Sequence, residues 1–158
     1  LALATAPAFA QSTASRSDMR FGVGTSITRI NDGMFSKTAI MPTGVLDFGP
    51  GNVEFGFNLR SGEGQTQFML QIGGAYYPFD LGAGDMGFGI QFNLETDAVS
   101  FNNQGQSAIM FGLYTEYKVP ASEAIDLSMR VFPFQLFHTE NFSRIGLFSP
   151  GLAVGFFF

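Results

Sequence analysis

The chain has 158 residues, enough for one domain with its own core and short for two. Charged residues make up 13% and aromatic residues 15%, with 20 phenylalanines and 20 glycines, a composition that favours strands and tight turns over helices. The net charge of −5 without a basic run argues against nucleic-acid binding, and the lack of cysteine excludes disulfides, thiol catalysis and thiolate metal sites.

The N-terminal stretch LALATAPAFAQ has the form of the end of a secretory signal peptide. It is apolar and closes on Ala8-Phe9-Ala10, an A-x-A sequence of the kind cleaved by signal peptidase, before Gln11. We predict that residues 1–10 are a signal-peptide remnant, that 11–18 form a flexible N-terminal segment, and that one domain spans 19–158. A disordered alanine-rich terminus is the alternative. No stretch approaches the ~20 consecutive apolar residues of a membrane helix, so no spanning helix is predicted.

The remaining chain alternates between bulky apolar residues and small or polar ones, which is the pattern of strands with one apolar face. The alternation defines five strands, near residues 53–60, 67–76, 86–95, 108–117 and 125–131. Three further strands complete the set, at about 19–30, 35–48 and 146–158. The sequence therefore predicts eight strands and no second domain.

Prolines interrupt the alternation in two of these strands. In the second strand Ile40, Leu46 and Phe48 share a face, but Pro42 and Val45 blur the pattern. The seventh strand loses its phase at Phe132-Pro133-Phe134. Because proline cannot donate to a ladder, we predict a β-bulge there.

The connections alternate between compact turns and looser loops. Compact turns are predicted after strands two, four and six, at residues 49–52, 80–85 and 120–124. Loops are predicted at 31–33, 62–65, 97–106 and 138–144. An even number of strands with both termini at one end places the three turns at that end and the four loops at the other.

The composition of the polar face predicts that the apolar face points outward. The polar face consists of glycine, alanine, serine, asparagine and glutamine with few charges, unlike a water-facing surface. An eight-stranded barrel has a narrow interior that suits small residues, here Gly22, Gly24, Gly73, Gly89 and Gly155. We also expect Tyr76, Tyr77 and Tyr117, which lie near the predicted turns, to form an aromatic girdle. A soluble lipocalin-like carrier, with the apolar face inward, is an alternative.

The last strand carries a family resemblance. In GLAVGFFF the apolar residues Leu152, Val154, Phe156 and Phe158 alternate up to the chain end, and this resembles the C-terminal insertion signal of bacterial outer-membrane β-barrels. The resemblance implies recognition by the barrel-assembly machinery. Over residues 19–158 the chain is similar to the small OmpX/OmpA-type barrels, which implies an all-β, eight-stranded antiparallel up-and-down transmembrane β-barrel. It further implies export through the periplasm to a bacterial outer membrane, contact with its lipid and lipopolysaccharide, and a monomer.

Both signs of charge fall on the inward face of the predicted barrel. They are Lys37, Glu54, Arg60, Glu95, Glu116, Asp126 and Arg130. Because an unpaired charge is costly in a narrow lumen, we expect these residues to pair across strands, with Arg130 neutralising part of the acidic group near the turn end. We predict a plugged lumen; a narrow channel is the alternative.

The lone histidine, His138, lies five residues before Ser143. A histidine and a serine near an outer rim resemble the set used by PagL-type lipid A deacylases, in which the two lie two apart on one strand. Here they fall in a predicted loop and on opposite faces, so we predict a polar loop and no catalysis; a lipid-modifying hydrolase is the alternative. With no glycine-rich phosphate loop and no set of zinc ligands, no cofactor is predicted.

Two arginines are candidates for contact with lipopolysaccharide. Arg29 and Arg144 fall near the outer ends of strands one and eight, which become neighbours when a barrel closes, and arginine suits phosphate groups. The predicted function is therefore that of a non-enzymatic outer-membrane protein with a structural or surface-interaction role, such as membrane integrity or lipopolysaccharide contact.

Overall fold

A computed structural model describes residues 19–31, 36–62, 65–96, 107–139 and 143–158. The predicted signal-peptide remnant and flexible segment lie outside these residues and stay predictions. No helix in the described ranges is long and apolar enough to cross a membrane. The strands are β1 (Arg20–Asn31), β2 (Ser36–Asp47), β3 (Gly51–Gly62), β4 (Gln65–Asp80), β5 (Asp85–Thr96), β6 (Ala108–Pro120), β7 (Ile125–Thr139), β8 (Ser143–Gly146) and β9 (Ser149–Phe157).

The strands close into a barrel. Each of β1 to β7 pairs antiparallel with the next strand, β7 pairs with both β8 and β9, and β9 pairs with β1. Strands β8 and β9 are two parts of the predicted eighth strand, separated at Leu147 and Phe148, where Phe148 takes a left-handed φ of 53°. The predicted eight-stranded antiparallel up-and-down barrel is thereby confirmed.

The two ends of the barrel differ in their connections. Residues 48–50, 81–84 and 121–124 connect strands at the end where β1 begins and β9 finishes, which we call the short-turn end. The opposite end, where β1, β3, β5 and β7 finish, we call the loop end. The segment around His138 differs from the prediction, because β7 continues to Thr139 and β8 begins at Ser143, which leaves only three residues between them.

Two β-bulges change which positions of their strands face inward. On β7 the register with β6 shifts between Phe134 and Val131, which confirms the bulge predicted at Phe132-Pro133-Phe134. A second bulge, on β4, falls between Tyr76 and Phe79, where the register with β5 shifts. Both bulges contain a proline, which cannot donate to a ladder.

The outward face is apolar and the inward face is polar. Large apolar side chains point away from the barrel on every strand from β1 to β9, and Phe21, Phe55 and Phe88 are each more than half exposed. Most buried inward positions carry acidic, basic, amide and hydroxyl side chains, and two clusters of buried apolar and aromatic side chains lie among them. This arrangement, typical of membrane barrels, is the reverse of the lipocalin-like alternative.

The ladder between β2 and β3 stops halfway up the barrel, at the pair Thr43 and Gly56. Next along β2 comes Pro42. The side-chain amide of Asn58 on β3 donates to the carbonyl of Ile40 at 2.9 Å, which shows that this carbonyl points toward β3. Residues two apart in a strand direct their backbone groups to the same side, so the N–H that Pro42 lacks is one that would have faced β3.

The ladder between β1 and β9 also stops early, at the pair Thr28 and Gly151. Strands β1 and β2 nevertheless stay paired with each other up to Asn31 and Ser36. Within the described residues, the part of this first hairpin nearest the loop end therefore has no ladder to β3 or to β9. We call this part, residues 29–31 and 36–42, the outer half of the first hairpin.

Candidate functional site: the charged lumen and the outer rim

A cluster of four charged side chains lies in the lumen at the short-turn end. Arg20 Nη2 lies 2.8 Å from Asp47 Oδ2 and 2.8 Å from Asp126 Oδ2. Lys118 Nζ lies 3.2 Å from the same Asp47 oxygen. These residues come from β1, β2, β6 and β7, so the cluster joins strands from around the barrel.

A second cluster is centred on Arg130, which is 2% exposed. Its Nη1 donates to Glu54 Oε2 at 3.0 Å, and its Nη2 contacts Glu54 Oε1 and also donates to Glu116 Oε1 at 3.2 Å. The contact with Glu54 is a two-pronged pairing of guanidinium and carboxylate, a strong and directional form of ion pair. It joins β7 to β3 across the lumen. We call the two clusters together the lumen ion network.

Aromatic rings cover the cations of the lumen ion network. Lys118 Nζ lies 4.0 Å from the ring centre of Tyr77, and the guanidinium of Arg20 lies 4.1 Å from that of Phe157. The Tyr77 hydroxyl accepts a hydrogen bond from Asn52 at 2.8 Å. Tyr77 is thus an inward residue, like Gln71 and Ala75 at other odd positions of β4, and its expected place in an outer aromatic girdle is wrong.

The ion pairs of the network leave a small excess of negative charge. Three cations, Arg20, Lys118 and Arg130, meet the four carboxylates of Asp47, Glu54, Glu116 and Asp126. Every member is buried except Arg20, which is partly buried. A buried charge that loses its partner is costly, so the network depends on the barrel staying closed.

The structure places the predicted lumen residues unevenly. Glu54, Glu116 and Arg130 meet in one cluster, whereas Asp126 contacts Arg20 instead of Arg130. Glu95 is buried on β5 near the loop end, opposite Met69 and Ala108, and so lies far along the strand from the network. Lys37 and Arg60 belong to β2 and β3, but their side chains lie outside the described part of the chain.

Three members of the network were missed by the sequence prediction. Asp47 and Lys118 are buried, and Arg20 holds two carboxylates. The signal was present, because each occupies an inward position: Arg20 precedes Phe21, Asp47 precedes Phe48, and Lys118 lies two residues after Glu116.

The lumen changes character between the network and the loop end. An amide and hydroxyl layer comes first, in which Ser26 and Gln71 hydrogen-bond at 3.2 Å and Gln91 donates to Asn93 at 3.2 Å. An apolar cluster follows, formed by Ala39, Met41, Met69, Ala108, Met110 and Phe137. Charged side chains, then amide and hydroxyl side chains, then apolar side chains thus follow one another along the interior from the short-turn end toward the loop end.

At the outer rim, His138 and Ser143 face each other across the last hairpin. Their register pairing brings His138 Nδ1 to 2.9 Å from Ser143 Oγ, and both side chains point outward. The expectation that they lie in a loop on opposite faces is wrong. Odd and even numbering distinguishes the two faces only within one strand. Across this hairpin an even-numbered residue is paired with an odd-numbered one, so both side chains lie on the same face.

The two rim arginines belong to different parts of the wall. Arg29 lies near the end of β1, opposite Thr38, and its side chain is exposed. Arg144 lies on β8, opposite Phe137, and is half-buried. The strand that pairs with β1 is β9, whereas β8 pairs with β7 alone.

The C-terminal strand alternates as the sequence indicates. Leu152, Phe156 and Phe158 are exposed on the outward face, and Val154 between them is half-buried. Phe157 points inward, is buried and covers Arg20. Strand β9 is laddered on both sides, to β1 and to β7, so it closes the barrel.

Comparison with solved structures finds similar small β-barrels. Neisserial surface protein A (NspA) aligns with a TM-score of 0.51 at 12% identity, over 86% of this chain and 96% of that protein. Ail, the attachment invasion locus protein of Yersinia pestis, aligns with a TM-score of 0.42 at 13% identity, over 89% of this chain and 97% of Ail. Neither a protein-family model nor a characterised protein sequence matches the chain. The chain has the fold of the small eight-stranded outer-membrane β-barrels.

Proposed function

We propose that this chain is a non-enzymatic protein of a bacterial outer membrane, exported through the periplasm, with a structural or surface-interaction role. The supporting observation is the inside-out barrel, with apolar side chains outside and buried ion pairs inside. The test is a heat-modifiability gel on residues 11–158 refolded into detergent micelles. Unboiled protein that migrates differently from boiled protein supports a membrane barrel, and protein that folds as a monomer in plain buffer contradicts it.

In this proposal the lumen ion network and the apolar cluster close the barrel to ions. The network joins strands across the lumen at one end, and Met41, Met69, Met110 and Phe137 meet toward the other. Refolded protein in a planar bilayer is expected to be silent. Regular conductance steps in the wild type, absent from a matched bilayer without protein, would contradict the plug and favour the narrow channel.

The surface-interaction role is assigned to the outer rim, with lipopolysaccharide phosphates as the partner of Arg29 and Arg144. Both arginines lie near the loop end of the barrel. A charge-neutral double variant, Arg29→Gln with Arg144→Gln, is expected to bind lipopolysaccharide more weakly than the wild type in micelles. Arg20→Gln is the control, because that arginine lies in the lumen at the other end. Equal binding by all three proteins would remove this role.

Assembly is proposed to involve the barrel-assembly machinery and to yield a monomer. The outward residues of β9 support the first point, since they form the pattern that resembles the insertion signal. Mass measurement of the refolded protein tests the second, and a stable dimer in several detergents would overturn it.

One observation favours a second candidate function, a hydrolase acting on outer-membrane lipid. His138 and Ser143 lie at hydrogen-bond distance on the lipid-facing side, which meets one condition for a serine nucleophile with a histidine base. Expression followed by mass analysis of lipid A tests it. Loss of an acyl chain that depends on both residues would establish the hydrolase, and unchanged lipid A would exclude it.

A further inference from the structure

The apolar pattern of the outward face is interrupted at two positions on either side of β5. On β4 the outward series runs through Ile72 and Tyr76 but has Gly74 between them. On β6 it has Thr115 at the next outward position after Leu113. Register places Gly74 beside Ile90 of β5 and Thr115 beside Phe88 of β5, so the two small residues flank the same short stretch of that strand.

A concave groove lies over these two positions. Its volume is about 820 Å³, within the ~300–1,000 Å³ range of small-molecule sites. Its walls include Ile72, Tyr76, Phe88, Phe92, Phe111 and Pro133. The floor is backbone at Gly74, where even a Cβ would lie 2.6 Å from the carbonyl oxygen of Asn52, so this position resists any larger residue.

The position of the groove determines what can fill it. It interrupts the belt of exposed apolar side chains that contacts lipid in a membrane barrel, and it is continuous with that surface. Water there would face walls with almost no polar partners, and an empty groove would leave its lining without packing contacts. A flexible hydrocarbon chain satisfies the walls, and the surrounding lipid supplies such chains.

The groove spans the middle of the wall, and one of its ends is directed toward the short-turn end of the barrel. At that end Tyr76 and Phe88 each lie within a few residues of the turn at 81–84, whereas Phe111 at the other end lies three residues into β6. Short turns face the periplasm in membrane barrels. Tyr76 is exposed and amphipathic, which suits a position at headgroup level. A chain whose headgroup lies beside Tyr76 and which enters the groove from this end would come from the periplasmic leaflet.

We propose that the groove between β4 and β6 holds one acyl chain of a phospholipid of the periplasmic leaflet, bound more tightly than the lipids elsewhere on the wall. This inference rests on the proposed membrane location. It assigns Gly74 and Thr115 the role of leaving space and the surrounding rings the role of packing against the chain.

The test uses a tryptophan reporter, because the chain has none of its own. Phe88→Trp places the reporter in the groove wall, and Phe21→Trp places it on the outward face of β1 near the same end. Each variant is refolded in micelles and titrated with a phosphatidylethanolamine whose acyl chains carry bromine, which quenches tryptophan on contact. The groove reporter is expected to be quenched at an about tenfold lower lipid-to-protein ratio than the control, which is one factor of ten in affinity.

A filling substitution then separates the groove from general lipid contact. Thr115→Phe, added to the Phe88→Trp variant, is expected to abolish the tenfold advantage, whereas Thr25→Phe on β1 is expected to leave it unchanged. If Thr115→Phe fails the heat-modifiability gel, Phe92→Ala replaces it, because loss of that ring opens the groove wall and is expected to weaken quenching as well.

Three outcomes overturn the inference. Equal quenching of the two reporters would reduce the groove to ordinary lipid contact. Quenching that Thr115→Phe leaves intact in a folded protein would place the chain elsewhere. Preferential competition by lipid A over phospholipid would contradict the assignment to the periplasmic leaflet. Failure of the proposed function shows separately, as a wild-type protein that does not give a heat-modifiable band.

Discussion

The guanidinium of Arg130 on β7 forms a bidentate ion pair with the carboxylate of Glu54 on β3, in which each of two guanidinium nitrogens contacts one carboxylate oxygen across the lumen. Glu116 contacts only one nitrogen of the same guanidinium, at 3.2 Å. Two acidic residues of the same type, in the same cluster, are thus bound to different degrees. This difference makes the network testable with matched substitutions.

Neutralising Glu54 should be more damaging than neutralising Glu116. Glu54→Gln removes the two-pronged pairing of buried Arg130, and we expect a loss of about 3 kcal/mol in the free energy of unfolding. Glu116→Gln removes part of the negative excess and leaves the pairing, so we expect a change of less than about 1 kcal/mol. Urea titration of the heat-modifiable band measures both. Equal losses would show that the two carboxylates hold Arg130 alike.

Removing Lys118 from the cluster around Asp47 should destabilise the protein less than removing Arg130 from the cluster around Glu54. Lys118→Met removes one of two cations on Asp47, while Arg20 remains 2.8 Å from that carboxylate. The cost should therefore stay below that of Arg130→Met, which leaves both Glu54 and Glu116 without their cation and should cost about 3–5 kcal/mol. Equilibrium unfolding in one detergent compares the two variants. A larger loss for Lys118→Met would mean that Arg20 does not hold Asp47 on its own.

Pro42 should be the residue that ends the hydrogen-bond ladder between β2 and β3. Pro42→Thr supplies an N–H directed toward β3 and removes the reason for the ladder to stop at Thr43 and Gly56. We expect a gain of about 1 kcal/mol in the free energy of unfolding, the contribution of one added hydrogen bond. Pro50→Thr is the control, because Pro50 lies in a turn between β2 and β3. A Pro42 variant no more stable than the wild type would indicate that another contact ends the ladder.

Phe158 should matter for assembly and hardly for stability. Phe158 is 87% exposed at the end of the chain, so Phe158→Ser removes little packing within the protein and one ring from the edge of the outward apolar face, and refolded protein should lose no more than about 1 kcal/mol in the free energy of unfolding. If the C-terminal strand is recognised by the assembly machinery, the same variant should reach the outer membrane in reduced amount. Membrane fractionation beside in vitro refolding separates the two effects. Normal cellular yield would argue against recognition through this residue.

Alanine substitutions of His138 and Ser143 should leave the mass of lipid A unchanged. His138→Ala and Ser143→Ala each break the 2.9 Å hydrogen bond. For a non-enzymatic protein, cells expressing the wild type, either variant or no protein should yield lipid A of one mass. A shorter lipid A found only with the wild type would favour the hydrolase instead.

Strand alternation was sufficient to predict the strands and their two faces, because a period of two separates one face from the other directly. The composition of the polar face then predicted that the apolar face points outward. The bulge at Pro133 was predicted from the alternation too, since it breaks the period. The bulge on β4 was not, because Tyr76 and Tyr77 both look like girdle residues when the register with β5 is unknown. Local pattern therefore determines a strand's faces and reveals a register shift only where the alternation visibly breaks.

Partners across the lumen could not be predicted in the same way. The sequence places Asp126 and Arg130 on one face of β7, which suggests that Arg130 helps to neutralise Asp126, yet Asp126 contacts Arg20 of β1. The pairing depends on strand tilt, which brings residues far apart in sequence to one level. For His138 and Ser143 the missing information was the hairpin register, which alone places them opposite each other.

The early ends of two ladders leave the outer half of the first hairpin attached to its neighbours by side chains. The hydrogen bond from Asn58 to Ile40 and the packing of Met41 inside Gly56 are two such attachments. A segment held in this way opens locally at a small fraction of the free energy that unfolds the whole barrel. Amide hydrogens in the outer half of the first hairpin should therefore exchange faster than those in the rest of the barrel. When this part of the hairpin opens, the methionines of the lumen become accessible from the side.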